Sequence, residues 1–172
     1  MKKITRQHAI EMFRNLGAMA LGHMDEETLS ATLDNFDKFR KVQEDFQKLS
    51  EELAKRLYEG KDEEQKQKFF ELVMKFEREN DIEKRIEIEN AMKDSYLEFY
   101  ELYIKQLKVL TQMLYKVVEV DINEVDKDNF IAGVVKGKKD APVHEIVGLF
   151  TPMFKEEEAR ETDLSELDEL LK

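Results

Sequence analysis

The sequence predicts an all-α protein: an antiparallel helical bundle with long coiled-coil-like helices and a small irregular C-terminal subdomain. Three observations carry this reading. The chain has only six Gly and two Pro, with no Pro before Pro142 and no Gly between Gly60 and Gly133. An antiparallel sheet needs turn residues every ~8–12 positions. Charged residues make up 39% of the chain, well above the ~25% of ordinary globular proteins, as suits long thin helices that each bury one stripe. Finally, two stretches repeat apolar residues at the heptad period.

The elements follow in order. Ile10, Phe13, Leu16 and Ala20 predict a first helix over 5–22, with Gly22 as its stop. Asp25 is an N-cap, with Glu26 and Glu27 in the first turn where the helix dipole favours acids. Leu29, Leu33, Phe36, Phe39, Val42, Phe46, Leu49, Leu53 and Leu57 then make eight steps over 28 residues, averaging 3.5 per step. That period implies a left-handed packing seam on a helix about 50 Å long. Gly60 stands where a helix-terminating glycine belongs.

Asp62 with Gln65 forms a capping box, and Phe69, Val73 and Phe76 line the next helix. The short Gly60-Lys61 connection predicts antiparallel neighbours. A kink or break is expected at Asn80-Asp81. A second seam then runs through Ile82, Ile86, Glu89, Met92, Tyr96, Phe99, Tyr103, Leu107, Leu110, Leu114 and Val117, ten steps over 35 residues.

After Val117 the pattern becomes strand-like: Val118, Val120 and Ile122 alternate with Glu119 and Asp121. So short a strand cannot stand alone, and it is expected to pair with another subunit or to form an extended arm. A short helix at 126–135 and a loop at 136–141 follow. Pro142 then opens a helix bearing Val143, Ile146, Val147 and Phe150, and Thr151-Pro152 ends it. The expected organisation is a long-helix bundle at 1–117, a small subdomain at 118–154 and a flexible acidic tail at 155–172.

Charge narrows the function. The net charge is −11, and residues 156–172 hold eight acids against two bases. An acidic chain suits neither nucleic acid nor an anionic membrane surface. Cysteine is absent, which fits a reducing compartment. Arg6, His8, Glu11 and Arg14 interrupt any signal-peptide core, so the cytoplasm is the expected location.

No catalytic apparatus is legible. Gly133 to Lys139 is one residue short of a phosphate loop and has Lys139 where Ser or Thr would hold magnesium. His144-Glu145 begins a zinc-protease pattern, but Gly148 replaces the second His. Asp121, Asn123, Asp126 and Asp128 lack the glycine of a calcium loop. Tyr96, Phe99, Tyr100, Tyr103 and Tyr115 make an aromatic-rich helix flanked by Glu98 and Glu101, which favours core packing over base stacking. The expectation is therefore a non-enzymatic protein with no catalytic, cofactor or metal residues.

The one candidate binding motif lies in the tail. Asp163 with Glu166 is a capping box, and Leu164, Leu167, Leu170 and Leu171 form one apolar face suited to docking on a protein partner. The layout as a whole resembles small helical proteins of phages and prophages: a short first helix, long charged helices, then Val117-Val118-Glu119-Val120-Asp121-Ile122. That resemblance implies a non-enzymatic role in a phage gene cluster. The leading expectation is a homo-oligomeric interaction or assembly protein with an unidentified protein partner. An acidic regulator that blocks a basic surface stands second, and an enzyme of unfamiliar type third.

Overall fold

The long second helix sets the frame of the molecule. The structure, a computed structural model, describes residues 1–156 and 165–172. The order is β1 (Lys2–Thr5), α1 (Arg6–Ala18), α2 (Glu26–Leu57), α3 (Glu63–Arg78), α4 (Ile82–Ser95), α5 (Leu97–Tyr115), β2 (Val117–Val120), α6 (Lys127–Gly137), α7 (Val143–Phe150), a 3-10 turn at Thr151–Met153, and α8 (Ser165–Leu170). The protein is all-α apart from a two-stranded sheet.

The caps follow the sequence signals. Asp25 accepts from the Thr28 amide at 2.9 Å and Asp62 from Gln65 at 2.8 Å. Gly60 adopts φ +74° between α2 and α3, a conformation that an L side chain resists. The chain breaks at Asn80-Asp81, where Asp81 caps α4 through the Lys84 amide at 3.1 Å. A second break falls at Tyr96, so residues 82–115 form two helices rather than one continuous seam.

Three expectations change. The first helix covers 6–18, because Thr5 joins a strand at 2–5 and the chain turns extended at Met19. That exit carries Met24 onto Gly133, where an added Cβ would collide with Met24 Cγ and sit 3.0 Å from Met24 Cα. The strand at 117–120 needs no second subunit. It pairs antiparallel with β1 in the register Lys2↔Val120 to Thr5↔Val117. Last, α3 does not run back along α2. It packs on α4 and α5, while α2 takes α1 and α5 as its main neighbours.

The hydrophobic residues gather in two separate cores. The proximal one joins Ile4, Met12, Leu16 and Phe39 to Val120, Ile122, Phe130, Val134, Phe150 and Phe154. It draws on both sides of position 117, so residues 118–154 bury their apolar face against β1, α1 and the first half of α2. The distal core is aromatic: Tyr58, Phe69, Val73, Met92, Phe99 and Tyr103.

In the first half of α2 the most buried residues are Thr28, Thr32, Asn35 and Phe39, of which only Phe39 lies on the expected seam, and Leu33 is left exposed. The cause is Asn35. Its Nδ2 donates to the Asn123 carbonyl at 2.8 Å, and its Oδ1 accepts from the Asn123 amide at 2.7 Å. This pair of bonds fixes the segment after β2 against α2.

Three tyrosines of the distal region bear on stability at high pH. Burial pushes the Tyr58 phenol from 10.0 up to about 12, with Tyr103 adding to the effect. Burial also raises Tyr103, aided by Glu77, and raises Tyr100, aided by its hydrogen bond to Glu89. A raised value in the folded state means that the folded chain keeps protons which the unfolded chain releases. The stability tied to Tyr58 is therefore complete below pH 10 and lost as the pH rises through about 12. Roughly 2–3 kcal/mol should drain away over that interval. A phenolate absorbance titration, run beside circular dichroism, checks this: Tyr58 should ionise only as the distal core opens.

Candidate interaction surface

Between the two cores the molecule is thin. In α2 no residue from Arg40 to Leu57 is fully buried, and in the 104–119 stretch none is either. The apolar positions nevertheless continue. Val42, Phe46, Leu53 and Leu57 are half-buried and Leu49 is 45% exposed. On α5, Val109, Leu110, Met113 and Leu114 are half-buried, while Ile104 and Leu107 are 44% and 42% exposed. Two helices alone can bury only the stripe along which they touch. A heptad repeat with this many apolar positions leaves the outer sides open.

The charges on this waist are uneven. Residues 102–118 contain Lys105, Lys108 and Lys116 and no acid, in a chain with 39 acids. The facing stretch of α2 carries Glu44, Asp45, Glu51 and Glu52 among its bases. At the ends the waist is pinned. The Tyr58 hydroxyl donates to Gln106 Oε1 at 3.0 Å, and the Arg6 guanidinium donates to the Met113 carbonyl at 2.8 Å.

The second seam is not one packing line. Ile82 and Ile86 are exposed, so its α4 part buries only Met92. On that helix Glu89 accepts from the Tyr100 hydroxyl at 2.8 Å and pairs with Lys93 at 3.1 Å. Both contacts hold its carboxyl below the usual range, the Tyr100 bond most of all.

The tail leucines are only partly described. Leu164 and its expected cap Asp163 lie outside the described residues. Leu167, Leu170 and Leu171 are exposed, on or just after α8. The structure brings them to neither core.

The discarded motifs have ordinary places. Gly133 sits inside α6 against Met24, and the Gly133–Lys139 stretch is helical to Gly137 rather than a loop. Asp126 is the N-cap of α6, accepting from the Asn129 amide at 2.9 Å. His144 is exposed in the first turn of α7. Among the described residues no three His, Cys, Asp or Glu gather as a metal site would require, and no helix is long and apolar enough to cross a membrane. No family model matches the chain, and neither a curated protein nor a solved structure matches it.

Proposed function

We propose that this chain is a non-enzymatic helical assembly protein that associates with a second copy of itself through the waist of α2 and α5. One observation carries the reading: two long helices keep a heptad apolar pattern across a stretch where neither buries a residue fully. A second α2–α5 pair, related by a two-fold axis, would complete a four-helix bundle there. The charges favour a copy as the occupant. In such an isologous contact the acid-free α5 of one protomer lies against the acids of the other's α2. The leucine-rich tail is then free to hold a different protein partner, in the manner of an amphipathic helix in a groove. The absence of cysteine suits work in the cytoplasm, and the likeness in layout to small phage and prophage proteins suits an assembly role.

Light scattering after gel filtration tests the reading. The full chain should run as a dimer or larger species at micromolar concentration. Leu49→Glu with Leu107→Glu should yield a monomer of unchanged helicity, because both residues are already more than two-fifths exposed in the single chain. Losing two buried leucines and placing charge in their stead raises the dissociation constant at least ~100-fold. A strict monomer at high micromolar concentration for the unaltered chain would overturn the proposal.

A further inference from the structure

The proximal end of the molecule holds a cleft that the assembly reading does not use. Its volume is about 690 Å³, within the range of small-molecule sites. The lining includes Lys2, Lys3, His8, Lys127 and Lys155 from three separated parts of the chain, with Ile4, Val147, Pro152 and Phe154 as an apolar floor. In a chain of net charge −11, convergence of four lysines on one concavity runs against the overall composition.

The lysines differ in what they already hold. Lys2 Nζ reaches Glu124 at 3.4 Å and the Phe154 carbonyl at 3.5 Å, and Lys3 Nζ lies 3.8 Å from Glu119. Lys127 and Lys155 have no carboxylate partner among the described residues. The main chain positions Lys155: its amide donates to the Val125 carbonyl at 3.0 Å, beside the Val125↔Phe154 bridge. Lys127 is the first residue of α6. His8 Nε2 lies 2.6 Å from the Leu149 carbonyl. A carbonyl only accepts, so Nε2 carries the proton and the ring is fixed on the cleft wall.

We propose that this cleft binds a small phosphate monoester with an apolar substituent. Two ammonium groups without a carboxylate partner among the described residues, beside the paired Lys2 and Lys3, favour a multiply charged anion. Lysine is a point charge of the kind that binds phosphate, and among the described residues no arginine fork lines the cleft. The floor of Ile4, Val147 and Phe154 gives an apolar substituent a place to rest. Glu119 and Glu124 beside the lysines, and Glu156 on the lining, repel a long polyanion crossing the surface, so a compact ligand is the better fit.

The test is a titration of the ¹⁵N-labelled full chain with hexyl phosphate, pyrophosphate and hexanoate at low salt, followed by amide shifts. Hexyl phosphate should give saturable shifts confined to residues 2–8, Lys127 and 151–155. Binding should weaken at least ~10-fold in Lys127→Gln/Lys155→Gln, and by part of that in Lys155→Gln alone. Lys138→Gln/Lys139→Gln, which removes as much charge outside the cleft, should leave binding unchanged. Shifts spread over lysines elsewhere without saturation would overturn the proposal. So would hexanoate binding as tightly as hexyl phosphate, which would remove the phosphate assignment. Pyrophosphate binding as tightly would remove the apolar one. These outcomes are independent of oligomeric state, so the assembly reading stands or falls separately.

Discussion

Truncating Phe69 to Ala is expected to lower the unfolding free energy by about 3–5 kcal/mol, the range for removing a fully buried phenylalanine. Phe69 is wholly buried and touches four other rings: Phe70 at 5.5 Å, Phe99 at 5.8 Å, Tyr103 at 6.0 Å and Tyr96 at 6.3 Å. Its loss leaves a cavity that rigid neighbouring rings cannot close. Phe130→Ala should cost as much in the proximal core, where Phe130 packs on Phe150 at 5.3 Å and Phe154 at 5.5 Å.

The two variants can be told apart spectroscopically. The chain has no Trp and five Tyr, of which Tyr58, Tyr96, Tyr100 and Tyr103 sit in or against the distal core and none in the proximal one. Tyrosine absorbance in urea therefore reports the distal core, while far-ultraviolet circular dichroism reports every helix. Phe69→Ala should shift the tyrosine transition more than Phe130→Ala does. Equal shifts for both variants would show that the waist couples the cores into one cooperative unit.

Asn35→Leu should cost about 2–4 kcal/mol, although it keeps nearly the same volume. The substitution strips the partners from both the amide and the carbonyl of Asn123, at 2.7 and 2.8 Å. Asn35 is itself fully buried, so water replaces those bonds poorly. The neighbouring turn supplies the control. Thr32 Oγ1 is buried without a hydrogen-bond partner among the described residues, so Thr32→Val should change stability by no more than ~1 kcal/mol, or raise it. Urea midpoints measured side by side decide the point. A neutral Asn35→Leu would mean that the amide pair contributes nothing to the seating of 121–124 on α2.

Most helix starts were legible because capping is local. Asp25 and Asp62 act within three residues of themselves, and so does the turn at Gly60. The β1–β2 pair was not, because Lys2-Lys3-Ile4-Thr5 is too short to show an alternation and its partner lies far along the chain. The break at Tyr96 was hidden by an apolar period that ran through it unchanged. The polar part of the buried face of α2 was missed for a similar reason. Threonine and asparagine do not count as core residues in a hydropathy pattern, yet Thr28, Thr32 and Asn35 are buried there. Of the candidate surfaces, the waist was foreshadowed by the heptads. The cleft was invisible, since its lysines share no local motif.

The strand pair also sets an order of events during synthesis. Arg6 bonds to Met113 across a separation of 107 positions, and β1 waits beside it for β2. The distal core, by contrast, closes entirely within residues 54–103. Shorter loops close at lower entropic cost and sooner. The aromatic end should therefore assemble once residue 103 has left the ribosome, and the N-terminal strand must stay unpaired until residue 120 has emerged.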